Sequence, residues 1–262
     1  AFERSQVKKD ASYQQFVSEN AFWLDDYALF MAVKKAFSGK GFASWDDDIK
    51  KRSKTAVEKY TKKYKEEIEF YKFQQFKFSQ QWKQLKTYAN KKGIQIIGDI
   101  PIYVAFDSAD TWANPELFEF DEDMNPLAVA GCPPDAFSKT GQLWGNPLYR
   151  WDYHKKTNYE WWIQRIEYCY TLYDVVRIDH FRGFDEYYAI PYGHQTAEKG
   201  KWEKGPGYEL FQVMKDRLGK KQVIAEDLGF LTDGVRKLVK KTGYPGMKIL
   251  QFAFDSREES DY

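Results

Sequence analysis

Residues 175–184 read VVRIDHFRGF, so Arg177, Asp179, His180 and Arg182 crowd the end of an apolar, β-branched run. A second such run, QVIAEDLG (222–229), ends on Glu226 and Asp227. Chemistry at a glycosidic bond needs two carboxyl groups on opposite sides of the bond, one ionised and one holding a proton. Asp179 and Glu226 are the pair best suited to that work. Arg177 precedes Asp179 by two residues, so on a strand both side chains share a face, and the guanidinium charge favours an ionised Asp179, the state of a nucleophile. Glu226 would need a raised pKa to protonate a departing oxygen and then deprotonate an acceptor. Asp227 faces the other way and reads as a cap or a structural hydrogen-bonder.

These residues need a frame that brings strand ends together. GIQIIGD ends near Asp99, DVVRID on Asp179, QVIAED on Glu226 and Asp227, and GMKILQFAFD on Asp255. Helical stretches at 158–172, 210–219 and 234–243 alternate with these runs, which is the pattern of βαβ units and a parallel sheet. Chemistry in such sheets gathers at the carbonyl ends of the strands. One carboxylate at a strand end is commonly a helix N-cap; several on one rim suggest a site. Residues 1–92 read as helical. Apolar residues at helical spacing run through 16–37 and stop near Gly39 and Gly41, and a stripe of Ile68, Tyr71, Phe78, Trp82, Leu85 and Ala89 marks a long packed helix that Gly93 ends. Between them, residues 107–151 carry five of the nine prolines and no clear period, the mark of a functional loop.

The composition narrows the classes. The 262 residues are 43% hydrophobic, enough for a real core, and 40 Lys and Arg against 39 Asp and Glu leave a net charge of +1. No global field recruits nucleic acid or an anionic membrane, and the Lys-rich run 50–65 reads as a solvated helix face. No apolar run approaches the roughly 20 residues of a membrane span, and the start AFERSQVKKD lacks a signal-peptide core, so a soluble, cytoplasmic protein is expected. Cys132 and Cys169 suggest neither a disulfide framework nor a zinc site. Aromatic residues reach 18%, which suits both core filling and stacking on sugar rings. No strand is followed by a Gly-rich phosphate loop.

Ordered stretches then become specific. VVRIDHFRGF and VIAEDLG, with GDIPIYVAFDSADTWANPELF, VAGCPPDAFSKTGQLWGNPLYRW, ENAFWLDDYALFMAVK and QFKFSQQWKQLKTYANKKGI, resemble the signature stretches of the 4-alpha-glucanotransferases called amylomaltases or disproportionating enzymes. These form glycoside hydrolase family 77 of the alpha-amylase clan. The resemblance covers nearly the whole chain. It implies an α/β fold, a partial (β/α)8 TIM barrel of about four parallel strands with a helical insertion in the N-terminal third: residues 1–92 the helical region and insertion, 93–262 the middle βα units. It implies Asp179 as nucleophile, Glu226 as general acid/base and Arg177 as the group orienting Asp179. Asp99 and His180 fall at substrate-binding positions. Asp135, Phe137, Gln142, Trp144 and Asn146 lie in what resembles the family's loop over the donor sugars, with Trp144 a stacking platform and Asp135 and Asn146 binding substrate. The implied partners are maltooligosaccharides or other α-1,4-glucans, with no metal or organic cofactor.

The family's third catalytic carboxylate belongs to a His-Asp-Asn segment that this sequence does not contain, and the family's opening strands have no counterpart before Ala1. The expectation is therefore an internal slice, with little transfer activity alone and open sheet edges that favour oligomers or dependence on absent chain. An α-glucan hydrolase of the same clan and a non-catalytic glucan-binding module are the competing readings.

Overall fold

A computed structural model of the chain describes residue 2 and residues 6–136, 138–229 and 231–254. In chain order the helices are α1 (Ala11–Glu19), α2 (Ala21–Ala36), α3 (Asp47–Lys50), α4 (Lys54–Lys63), α5 (Lys65–Lys91), α6 (Ala109–Ala113), α7 (Trp151–Lys156), α8 (Glu160–Leu172), α9 (Tyr208–Leu218) and α10 (Asp233–Thr242). The strands are β1 (Ile97–Pro101), β2 (Ala128–Cys132), β3 (Gln142–Pro147), β4 (Val175–Asp179), β5 (Glu186–Pro191), β6 (Lys201–Lys204) and β7 (Val223–Ala225). Two compact units result: residues 1–92, 104–129 and 144–150, and residues 93–103, 130–143 and 151–262. No helix among the described residues is long and apolar enough to cross a membrane.

The first unit is a helical assembly around α2. The single helix expected over 16–37 is broken at Asn20, whose side chain donates to the Phe16 carbonyl at 2.8 Å and divides α1 from α2. α2 stops as its sequence predicts: Ser38 turns to φ 57° and Gly39 to φ 80°, and the Gly39 N–H bonds back to the Lys34 carbonyl at 2.8 Å. Phe30, Phe42, Trp45 and Trp112 fill the core, Trp112 donating its indole N–H to the Ile49 carbonyl at 3.0 Å. Much of the aromatic content is thus spent on packing. α4 buries Ala56 and Tyr60 and leaves its lysines in solvent. The α5 stripe packs only in part. Of its residues Ile68 is buried and Tyr71, Trp82 and Ala89 are half-buried, while Phe78 and Leu85 are 48% and 54% exposed; the buried Phe76 lies off the stripe. Periodicity reveals an apolar face but not whether an element lies against it.

In the second unit β1, β4 and β7 form a parallel sheet in the order β1-β4-β7. Asp99 is opposite Arg177, Pro101 opposite Asp179, and Ile178 opposite Ala225. Side chains alternate across the sheet. Val176, Ile178, Val223 and Ala225 are buried, and Ile178 lines one small cavity together with Trp162, Ile163 and Ile166 of α8 and Leu210, Phe211 and Met214 of α9. Asp99, Arg177 and Asp179 occupy the alternate positions. A second sheet has the order β3-β2-β5-β6, with β5 and β6 antiparallel.

Among the described residues the parallel sheet has three strands rather than about four. The stretch expected to end on Asp255 forms a 3-10 helix over Leu250–Phe254, and Asp255 itself lies outside the described residues. Ahead of it the chain does run beside β7, where the Ala225 N–H donates to the Pro245 carbonyl at 2.9 Å. Pro245 has no N–H to return to a ladder, which explains why the contact does not extend into a strand.

Candidate active site

The turn after β4 is held by apolar anchors set between its charges. Phe181 and Phe184 are fully buried, their ring centroids 5.0 and 5.1 Å from that of Phe211. His180 adopts a left-handed conformation (φ 55°, ψ 47°), one that histidine tolerates better than most side chains, and this reverses the chain at the strand end. The apolar residues of VVRIDHFRGF thus fasten the peptide while Arg177 and Asp179 are left at the rim and Arg182 is buried with the anchors.

Arg177 links the two aspartates. Its Nη1 donates to Asp99 Oδ1 at 2.7 Å and its Nη2 to Asp179 Oδ1 at 2.9 Å, while Nε donates to the Met247 thioether at 3.0 Å. Burial works to lower the Arg177 pKa, and the two carboxylates outweigh it, so the pKa lies above the ordinary value. The guanidinium is a permanent cation.

Glu226 is joined to the same turn. Its N–H donates to the Ile178 carbonyl and its carbonyl accepts from the Phe181 N–H, each at 3.0 Å, which extends the β4–β7 pairing past Asp179. Its two carboxyl oxygens accept main-chain N–H groups, Oε2 from His180 and Oε1 from Leu228, both at 2.8 Å. One of those donors is the residue directly following Asp179. Burial pushes the His180 pKa down to about 4, with the Arg182 charge acting in the same direction, so the imidazole is neutral at neutral pH. Asp227 is the structural hydrogen-bonder expected of it, accepting the Met247 N–H on Oδ1 at 2.9 Å.

Asp99, Arg177, Asp179, His180 and Glu226 therefore come together at the carbonyl ends of adjacent strands. Asp135, in the same unit, is exposed and closes a local turn, its Oδ1 accepting the Ser138 N–H at 2.7 Å. Trp144 and Asn146 belong to the first unit. Trp144 is 37% exposed on β3, and Asn146 donates to the Val104 carbonyl at 2.9 Å. The stretch read as a loop over 107–151 contains α6, β2 and β3. Phe137 lies outside the described residues.

Two arginines near this rim have partners that the sequence does not foretell. Arg182 is buried with its guanidinium 4.3 Å from the Trp202 ring centroid. Arg165 donates to the carbonyls of Pro101 and Ile102, at 2.7 and 3.2 Å, holding the chain just beyond β1. Arg182 is one of the four ionisable residues of the opening cluster, though the sequence assigns it no role; Arg165 sits mid-helix with no local signal. Burial pushes the Cys132 thiol up to about 11, against a nucleophilic role.

A parallel sheet with carboxylates at its strand ends and helices packed on one face is the framework of a (β/α)-barrel enzyme. The profile of the 4-alpha-glucanotransferase family, glycoside hydrolase 77, matches residues 1–262, and the chain belongs to that family. It is 53% identical over 256 residues to a 4-alpha-glucanotransferase of Clostridium butyricum, covering 97% of this chain and 53% of the relative. Identity to a Thermus thermophilus 4-alpha-glucanotransferase is 46%, covering 99% of this chain and 52% of the relative. Among solved structures, an amylomaltase from Streptococcus agalactiae in complex with acarbose superposes with a TM-score of 0.93 at 45% identity, over 97% of this chain and 51% of that one. The chain spans about half the length of these relatives.

Proposed function

We propose that the whole protein carrying this chain is a 4-alpha-glucanotransferase that passes α-1,4-glucan segments between maltooligosaccharides by a retaining double displacement. Asp179 attacks the anomeric carbon and forms a covalent glycosyl intermediate as Glu226 protonates the departing 4-oxygen. The 4-hydroxyl of an acceptor glucan then gives its proton to Glu226 and displaces Asp179, restoring the original configuration. Arg177 orients Asp179, and Asp99 and His180 contact the sugar at the cleaved bond. Asp135, Trp144 and Asn146 serve the donor glucan, Trp144 by stacking. A glucan held where water would otherwise attack favours transfer over hydrolysis, because a positioned hydroxyl has the advantage of proximity. The expected compartment is the cytoplasm, where unpaired cysteines such as Cys132 and Cys169 are stable.

The observation that carries this reading is that the Glu226 carboxyl is bound by the N–H of the residue following Asp179, while Arg177 donates to Asp179. The test is incubation of the whole protein with maltotriose, followed by chromatography. Glucose with a ladder of longer maltooligosaccharides is the expected product. Reducing ends without longer chains would make it a hydrolase, and binding without turnover would make it a glucan-binding module.

A further inference from the structure

Among the described residues Arg177 has three hydrogen-bond partners, and the proposed mechanism uses two. A guanidinium offers five N–H donors in one plane, and carboxylates on Nη1 and Nη2 leave the Nε–H edge to be satisfied elsewhere. That edge meets the Met247 sulfur at 3.0 Å. We propose that Met247 is a positioning residue for the Asp179 carboxylate, acting through Arg177; the inference rests on the assignment of Asp179 as nucleophile.

The sulfur is itself held in place. The segment Pro245–Gly246–Met247 is tied to the end of β7 twice, by the Ala225 N–H on the Pro245 carbonyl and by Asp227 Oδ1 on the Met247 N–H, each at 2.9 Å. A Cβ added to Gly246 would lie 2.4 Å from Asp227 Oδ2, so only glycine allows so close an approach. Asp227 thereby acquires a role: it carries the backbone that delivers the thioether to Arg177. The chemistry of sulfur fits the position. A third carboxylate on Arg177 would compete with Asp179 for its charge, whereas a neutral, polarisable thioether occupies the donor without drawing the guanidinium away. With three edges engaged, rotation of the guanidinium is blocked and Nη2 stays aligned on Asp179.

The test uses the whole protein, with Met247→Leu, which keeps the volume and removes the acceptor, and Met247→Gln, whose amide oxygen restores one. For maltotriose disproportionation, Met247→Leu should lower kcat by about tenfold with KM within about twofold, the scale of losing one hydrogen bond that aligns a reacting group. Met247→Gln should recover most of that loss. Hydrogen exchange of the Arg177 Nε–H, followed by 15N NMR, should be slow in the unaltered protein and faster in Met247→Leu. A Leu variant with unchanged kcat, or with unchanged Nε–H exchange, overturns the proposal. So does equal impairment of the Leu and Gln variants with a lowered Tm, which would make Met247 a packing residue. If the unaltered protein transferred no glucan, the functional reading would fall by itself, and the exchange measurement would still judge the contact.

Discussion

Replacement of Glu226 by glutamine, the usual probe of a general acid, should do two separable things here. Both carboxyl oxygens accept a main-chain N–H at 2.8 Å. A glutamine can supply an acceptor to one of them and must turn its own NH2 group against the other. Leaving one partly buried donor unsatisfied costs about 1–3 kcal/mol. Glu226→Gln should therefore lower the Tm of the whole protein by several degrees at neutral pH. Asp179→Asn is the control. Asp179 Oδ1 accepts from Arg177, and an asparagine oxygen can do the same, so that variant should melt close to the unaltered protein while losing several orders of magnitude in turnover. The two variants should also differ in leaving-group dependence: Glu226→Gln fails most on maltotriose and least on activated aryl glucosides, which need no proton, whereas Asp179→Asn fails on both. The assays are differential scanning calorimetry and initial rates on the two substrate types. An unchanged Tm for Glu226→Gln would refute the hydrogen-bond reasoning, and equal rate losses on both substrates would refute the acid assignment.

Arg177→Lys keeps the charge but not the fork, and one ammonium cannot span Asp99 and Asp179 as Nη1 and Nη2 do; kcat/KM should fall roughly 10–100-fold, limited by the 61% and 45% exposure of the two carboxylates, and a loss under twofold would contradict the orienting role. His180, at about 4 in the fold against about 6.5 in an unfolded chain, adds stability in full above pH 6.5 that drains away as pH falls from 6.5 to 4. Urea midpoints of the unaltered protein and His180→Gln should converge or cross over that window; parallel curves would argue against it. A Cβ on Gly98 would lie 2.0 Å from the Tyr173 ring, so Gly98→Ala should cost about 1–3 kcal/mol, and much less in a Tyr173→Ala background, as measured by denaturant unfolding.

The legible parts of the molecule were those written locally. Each strand of the parallel sheet is a β-branched run with a charge at or near its end, so Asp179 and Glu226 could be assigned to strand ends from composition and period alone, while β1 runs two residues past Asp99 to Pro101. Gly39 and Gly93 marked helix ends because their positive φ values, 80° and 75°, are cheap only for glycine. What could not be read depended on distant partners. The stretch after Gly243 has strand-like residues, yet Pro245 spoils its ladder. Phe78 and Leu85 obey helical spacing and yet remain half exposed, because spacing does not say what packs against a face. Arg182 over Trp202, Arg165 on the carbonyls at the end of β1 and Met247 against Arg177 join residues separated widely in sequence, so nothing local names the partner. Asp135 is a different case: an aspartate three residues before a serine is the signature of a side-chain-closed turn, and that local role was available to the reading.

The alternation along β4 reaches beyond the site it builds. Shifting this strand by one residue against β1 would exchange its two faces, forcing Arg177 and Asp179 among the rings of Trp162 and Phe211 and turning Val176 and Ile178 toward water. Burying such ions away from their partners costs several kcal/mol each, which is comparable to the stability of an entire domain. The charges that serve the sugar therefore also reject misaligned pairings while the chain folds, and a variant that neutralises them gives up fidelity of assembly along with chemistry.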